Sequence, residues 1–333
     1  MSSVHREKNT SALKDRVTSV LVLVFGAVLA ACLGEAVLRF KNDDMKNYDI
    51  EMWKYSRDLK VISPDPKMAF THRRNASAIL QSVTIRTDEW GLRGGPVPPM
   101  PPGGRRILFL GSSITLGWGV PEQETLTARL QQMFAEHNQD VAVLNGGVGN
   151  YNAQRYVERL FVELGQLEPT DIVVQYFLRD AEDLEPTEGN LLLRHSELAV
   201  ALWIAGSRLF GKIGSQSLTD YYRSLYRPDA PGFLRMKASL ELLADYARER
   251  GIRLYLAMTP DVHNLGHYDF QFVHDTMRSI AEADGYTYVD LLPAFGTLTP
   301  EQVWAMPGDP HPNALGHRLM AERLFPVIEK PRQ

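Results

Sequence analysis

For residues 105–333 the sequence predicts an α/β fold, a parallel sheet of five strands with helices on both faces. Three observations predict it. Apolar runs of strand length alternate with stretches of helical length, and the runs are apolar throughout rather than at every second residue. Unbroken apolarity means burial on both faces, which is the condition of a parallel strand between two helical layers. The Gly, Ser, Asn, Asp and His clusters fall after the runs, at the carboxyl ends of strands, where ligands of such sheets sit.

The elements follow in chain order. Ile107–Leu110 is the first strand, closed by the turn Gly111-Ser112-Ser113-Ile114-Thr115, with Gly117 and Gly119 behind it. Glu122–Glu136 reads as a helix, and Val141–Leu144 as the second strand, leading into Asn145-Gly146-Gly147-Val148-Gly149-Asn150. A helix over Gln154–Leu164 precedes the third strand, Ile172–Phe177, which ends in Leu178-Arg179-Asp180. An insertion over 185–231 follows. Its apolar segment, "SELAVALWIAGSRLFGKIG" at 196–214, reads as a core or lid helix, since Arg208 and its short length argue against a membrane span. Phe233–Arg250 (helix), Arg253–Met258 (strand), Phe272–Ala283 (helix), Tyr286–Leu291 (strand) and Ala314–Ile328 (helix) complete the alternation.

Ahead of this domain, residues 1–16 form a charged tail and 17–38 an apolar helix. The uncharged stretch Val17–Leu33 covers roughly 26 Å as a helix, near the lower limit for crossing a bilayer, and continuing through Gly34-Glu35 to Leu38 lengthens it. Arg6, Lys8, Lys14 and Arg16 precede it, against Arg39, Lys41 and Lys46 beyond, a modest bias toward a cytoplasmic N-terminus and a periplasmic or other extracytoplasmic body. Leu29-Ala30-Ala31-Cys32 has the pattern of a lipoprotein processing box, which would replace the span by a lipid anchor; the long tail and Asp15 weigh against it. Residues 39–104 are an extension with short β-like pieces such as Ser82–Arg86, ending in "RGGPVPPMPPGG" at 93–104, whose five prolines and four glycines exclude a regular element. The net charge of −4 and the lack of a basic stripe argue against a nucleic-acid partner, and a single cysteine, Cys32, excludes an intrachain disulfide framework.

The chemistry lies in two distant pieces. A serine hydroxyl becomes a nucleophile when a histidine, itself oriented by a carboxylate, takes its proton. The first strand's turn supplies the serine, and "GDPHPNALGH" at 308–317 supplies Asp309 and His311. Both precede prolines and are therefore extended, so their side chains can leave the same side of the chain. Asn313 is placed to cap the closing helix, with His317 one turn inside it as a weaker candidate base. His263 and His267 stand four apart but in a loop between Pro260 and Gly266, which argues against a metal site, and the turn at 111–119 lacks the lysine of a phosphate-binding loop. No cofactor or metal is expected.

With these residues in view, the chain resembles the SGNH (GDSL-type) hydrolase superfamily from about Arg105 to Val327, and "TIRTDEWGLRGG" ahead of it is similar to the entry segment of membrane-anchored envelope members. The resemblance implies a three-layer α/β/α, flavodoxin-like fold and a serine esterase. It makes Ser113 the nucleophile, with Ser112 at the family's aspartate position, and Asn150 the residue at the oxyanion-glycine position. It puts Arg179 where the family carries its oxyanion asparagine, the most serious departure. Aspartate stands two residues before histidine here rather than three. The expected constellation is Ser113, His311 and Asp309, with the backbone N–H groups of Ser113 and Asn150 and the Arg179 side chain as the oxyanion hole. The implied substrate bears an ester, with an acylated envelope or exported glycan as the class, and acyl transfer as a variant. The alternative is a catalytically weak SGNH-like module binding a polysaccharide or partner, which the substitutions Ser112, Asn150 and Arg179 favour. Protein partners are not legible.

Overall fold

The computed structural model describes residues 2–100, 103–184, 193, 195–210, 217–308 and 311–330. The chain forms two compact units, 1–53 with 188–214, and 54–187 with 215–333.

The first unit is built on α1 (Ser2–Lys41), which runs on into a 3-10 turn (Asn42–Asp44); Arg16–Asp44 is long and apolar enough to cross a membrane, and large apolar side chains from Val17 to Phe40 are exposed. Helix α2 (Tyr48–Leu59) begins in this unit and ends in the other. The sequence reading missed α2, because its mixed polar composition carries no long apolar stripe.

In the second unit, two short antiparallel pairs precede the sheet: β1 (Lys60–Ile62) with β2 (Phe70–His72), and β3 (Ser77–Leu80) with β4 (Val83–Arg86). The latter hairpin turns through Gln81 and Ser82, both at positive φ, the geometry that matches strand twist. The main sheet contains β5 (Arg105–Gly111), β6 (Val141–Asn145), β7 (Asp171–Phe177), β8 (Arg253–Thr259) and β9 (Thr287–Asp290) in the order β6-β5-β7-β8-β9, all parallel. That is the flavodoxin-like order of a doubly wound sheet, with its switch point beside the first strand. The unbroken apolar runs are explained directly: Ile107, Leu108, Phe109 and Leu110 are all fully buried, as is Ile172-Val173-Val174.

Helices α3 (Ser113–Leu116), α4 (Leu126–Glu136) and α5 (Ala153–Val162) connect the first three strands. The helix read over Glu122–Glu136 is in fact a 3-10 turn, Glu122–Glu124, followed by α4, because Thr125 stays extended and accepts the Ala128 N–H as N-cap. In the insertion, α6 (Glu197–Phe210) belongs to the first unit, whereas α7 (Leu218–Leu225) belongs to the second. The core or lid helix read at 196–214 is a helix over Glu197–Phe210, with 211–214 outside the described residues; on it Leu202 and Trp203 stand 63% and 60% exposed. Apolar composition showed that this helix avoids water without showing what covers it. Helices α8 (Pro231–Arg250), α9 (Gln271–Asp284), α10 (Pro300–Val303) and α11 (Ala314–Ile328) complete the second unit.

The two ends of the sheet differ in kind. At the amino end, the buried Asp171 holds Arg105 (3.1 Å) and Arg253 (2.7 Å), tying three strand starts together. The carboxyl end carries the turns described next.

Candidate active site

The turn after β5 leaves no room for a side chain at Gly111, where a Cβ would meet the Gln175 carbonyl of the neighbouring strand at 2.8 Å. The chain therefore bends sharply and presents Ser113 as the first residue of α3. Its carbonyl accepts the N–H groups of Gly117 (3.0 Å) and Trp118 (3.1 Å), and Gly117 closes the turn at φ +79°. The Ser113 Oγ lies 2.7 Å from the His311 Nε2. Of the two adjacent serines, the second is the one that meets the histidine.

His311 is held from its backbone. Its carbonyl accepts the Ala305 N–H (2.8 Å), Pro312 bridges Trp304, and the Asn313 N–H donates to the Val303 carbonyl (2.7 Å). This extended pairing is the geometry expected of residues flanked by prolines. Asn313 caps α11 by accepting the Gly316 N–H (3.1 Å). The imidazole is 4% exposed. Asp309 lies outside the described residues. His317 is committed elsewhere: its Nδ1 accepts the Leu126 N–H at the start of α4 (3.0 Å). Burial, followed by the Arg93 charge, pushes its pKa down to about 3, so it is neutral and structural.

The second turn packs against the first. The Val148 N–H donates to the Gly111 carbonyl (3.2 Å), and the Asn145 amide donates to the Thr115 carbonyl (2.8 Å) while its oxygen accepts the Gly147 N–H (3.0 Å). Asn150 adopts φ +65°, the left-handed conformation glycine favours and asparagine tolerates. Asn150 thus keeps the backbone conformation that glycine favours.

The third turn contains Arg179 and Asp180. The Arg179 guanidinium forks on Glu182, Nε to Oε1 at 2.6 Å and Nη2 to Oε2 at 3.2 Å, and the Tyr221 hydroxyl donates to the same carboxylate. Burial opposes the Arg179 charge, but the Glu182 carboxylate outweighs it and raises the pKa. Asp180 is fully buried; burial pushes its carboxyl well above the ordinary range, while the Phe177 N–H and the Ser112 hydroxyl favour the ionised form. Ser112 thus faces a carboxylate. An aspartate at this position would set two acids against each other.

Three positioning residues escaped the sequence reading. Arg93, buried, donates to the carbonyls of Leu116, Gly117 (2.6 Å) and Val120 (2.6 Å), so one guanidinium holds the turn that follows Ser113. Burial pushes its pKa down to about 10, still cationic at neutral pH. Tyr55 on α2 and His72 on β2 hold the turn that carries Gly149 and Asn150. His72 Nδ1 faces the Gly91 carbonyl (2.9 Å), which can only accept, so Nδ1 carries the proton. Burial holds the pKa of His72 down to about 3, leaving Nε2 free of a proton to accept the Tyr55 hydroxyl (2.6 Å). The Tyr55 oxygen in turn accepts the Gly149 N–H (2.8 Å), one residue before Asn150. Gly149 is glycine because a Cβ would meet the Tyr55 ring at 2.6 Å. No periodicity or motif signals these contacts; their partners are up to 94 residues apart.

A doubly wound α/β sheet with a serine–histidine pair at the carboxyl ends of its strands is the class that fold and site define. Solved structures similar to this chain include TesA (TM-score 0.47, 17% identity, covering 68% of this chain and 98% of that one). They also include the psychrotrophic esterase EstA from Pseudoalteromonas sp. (0.42, 16%, 68% and 97%), and Axe2, an acetylxylan esterase from Geobacillus stearothermophilus (0.43, 17%, 68% and 95%). No protein-family model matches the sequence, and no curated protein does.

Proposed function

We propose that this chain is a membrane-tethered serine ester hydrolase of SGNH type. The observation that carries the reading is the 2.7 Å approach of His311 Nε2 to Ser113 Oγ, across 198 residues of sequence. His311 takes the Ser113 proton as the oxygen attacks the ester carbonyl, then delivers it to the departing alcohol, leaving an acyl-serine; water reverses the sequence. Asp309 orients the imidazole. The backbone N–H groups of Ser113 and Asn150 stabilise the oxyanion; Arg179, the third donor that the sequence resemblance implies, is forked on Glu182 and has to leave that pair to donate. The substrate class is an O-acylated envelope or exported glycan, as the sequence resemblance implies. Transfer to a sugar hydroxyl shares the first half-reaction. Helix α1 anchors the chain, with the body on the periplasmic side.

A fluorophosphonate probe tests this, because it reacts with an activated serine whatever the substrate. Labelling of the wild type that is lost in both Ser113→Ala and His311→Ala, each folded by circular dichroism, is the expected result; Asp309→Asn should slow it. Absence of labelling in folded wild type would refute the hydrolase reading. It would favour instead the weak, glycan- or partner-binding module, which the engagement of Arg179 by Glu182 supports. Labelling that appears only on Arg179→Asn would identify that residue as the cause.

A further inference from the structure

Helix α6 is bolted to α1 at one end. The Glu35 carboxylate accepts the Ser196 hydroxyl (2.8 Å) and the N–H groups of Glu197 (3.1 Å) and Leu198 (2.9 Å), acting as a cap supplied from another helix. Arg39 bonds both Glu35 (2.8 Å) and the His195 carbonyl (3.2 Å), and the Asn42 amide donates to the Glu197 carboxylate (2.9 Å). The Leu198 side chain packs beside Gly34, where a Cβ would lie in ordinary van der Waals contact with its Cδ2 at 3.4 Å. Beyond this polar joint the helix is almost wholly apolar, "LAVALWIAG" over 198–206, with Leu202 and Trp203 largely exposed.

Two facts fix what covers that surface. Glu35 is the first charge after the apolar run Val17–Leu33, so it marks the level at which a bilayer crossed by α1 would end, and the start of α6 is bonded to that same group. Fourteen helical residues cover about 21 Å, too short to cross a hydrocarbon core of about 30 Å. An apolar helix that begins at the boundary and cannot span lies in the interface, and tryptophan is the side chain enriched at that depth.

We propose that α6 is a second, interfacial membrane contact, with Leu202 and Trp203 set among the lipid chains of the bilayer that α1 crosses. The proposal rests on the reading of α1 as an anchor.

The test uses the full chain in phosphatidylethanolamine/phosphatidylglycerol vesicles, with single cysteines placed in a Cys32→Ser background. Leu202→Cys and Trp203→Cys should react with a charged, impermeant maleimide about tenfold more slowly than the exposed control Glu249→Cys, as Leu29→Cys in the span should. Brominated lipid chains should quench a fluorescence component that Trp203→Phe lacks, which separates lipid cover from protein cover. Protected Leu29→Cys with reactive Leu202→Cys and Trp203→Cys would overturn the proposal and leave the anchor standing. Reactive Leu29→Cys would overturn the anchor and the proposal with it. Equal quenching of wild type and Trp203→Phe would also overturn the proposal.

Discussion

Replacing Tyr55 with phenylalanine removes one oxygen from a directed chain of hydrogen bonds and leaves the ring in place. The native oxygen accepts the Gly149 N–H at 2.8 Å and its proton goes to His72 Nε2 at 2.6 Å. Tyr55 is fully buried and His72 and Gly149 nearly so, so the variant leaves a donor and an acceptor without water to replace their partner. Each such orphan costs about 1–3 kcal/mol, and a loss of about 2 kcal/mol or more in unfolding free energy is expected from urea titration at unchanged slope. The turn freed by this change carries Asn150, whose N–H is proposed to face the oxyanion. Loss of one oxyanion donor costs about 10²–10³ in rate, so a partly misplaced one should slow fluorophosphonate labelling of folded protein about tenfold to a hundredfold. A Tyr55→Phe protein with the wild-type midpoint and labelling rate would refute the reasoning, because the hydrogen-bond chain would then neither support the fold nor position the turn.

Other perturbations test the remaining supports. His72 and His317 are each held at about 3 against an ordinary 6.5, so between those values the unfolded chain binds more protons and stability rises with pH. Lowering the pH from 7 to 5 should cost about 2 kcal/mol for each, and His317→Gln should flatten that slope in urea titrations at the two pH values. Arg93→Met should destabilise by about 3 kcal/mol or more and suppress labelling. Arg93→Lys should not restore it, since one ammonium cannot reach three carbonyls as the planar fork does. Asn150→Gly should label at the wild-type rate and Asn150→Val poorly, because the position needs φ +65° and contributes a backbone N–H. Labelling of Asn150→Val at the wild-type rate would sink that assignment.

Much of this protein was legible from local rules. Ile107–Leu110 is apolar at every position because both faces of the strand are covered, and that pattern is written in composition alone. Asn313 caps its helix through a bond to a residue three positions on, so it too could be read in place. A serine after the first strand and His311 were nameable by residue type and surroundings, and the family resemblance chose Ser113 over Ser112. The 2.7 Å meeting of Ser113 and His311 depends on how the sheet brings the end of β5 to the loop before α11, which only the closed fold decides. The same holds for Arg93, Tyr55 and His72, whose roles are set by carbonyls and an N–H far away in sequence. Arg179 carries no local sign that Glu182 engages it rather than a substrate, because three residues apart in a turn is compatible with either. For α6, the sequence by itself determined that an apolar helix forms between β7 and β8. Only the tertiary structure decided that Glu35 caps it and that Leu202 and Trp203 stay exposed on it, since hydrophobicity drives a segment out of water without naming the surface that receives it.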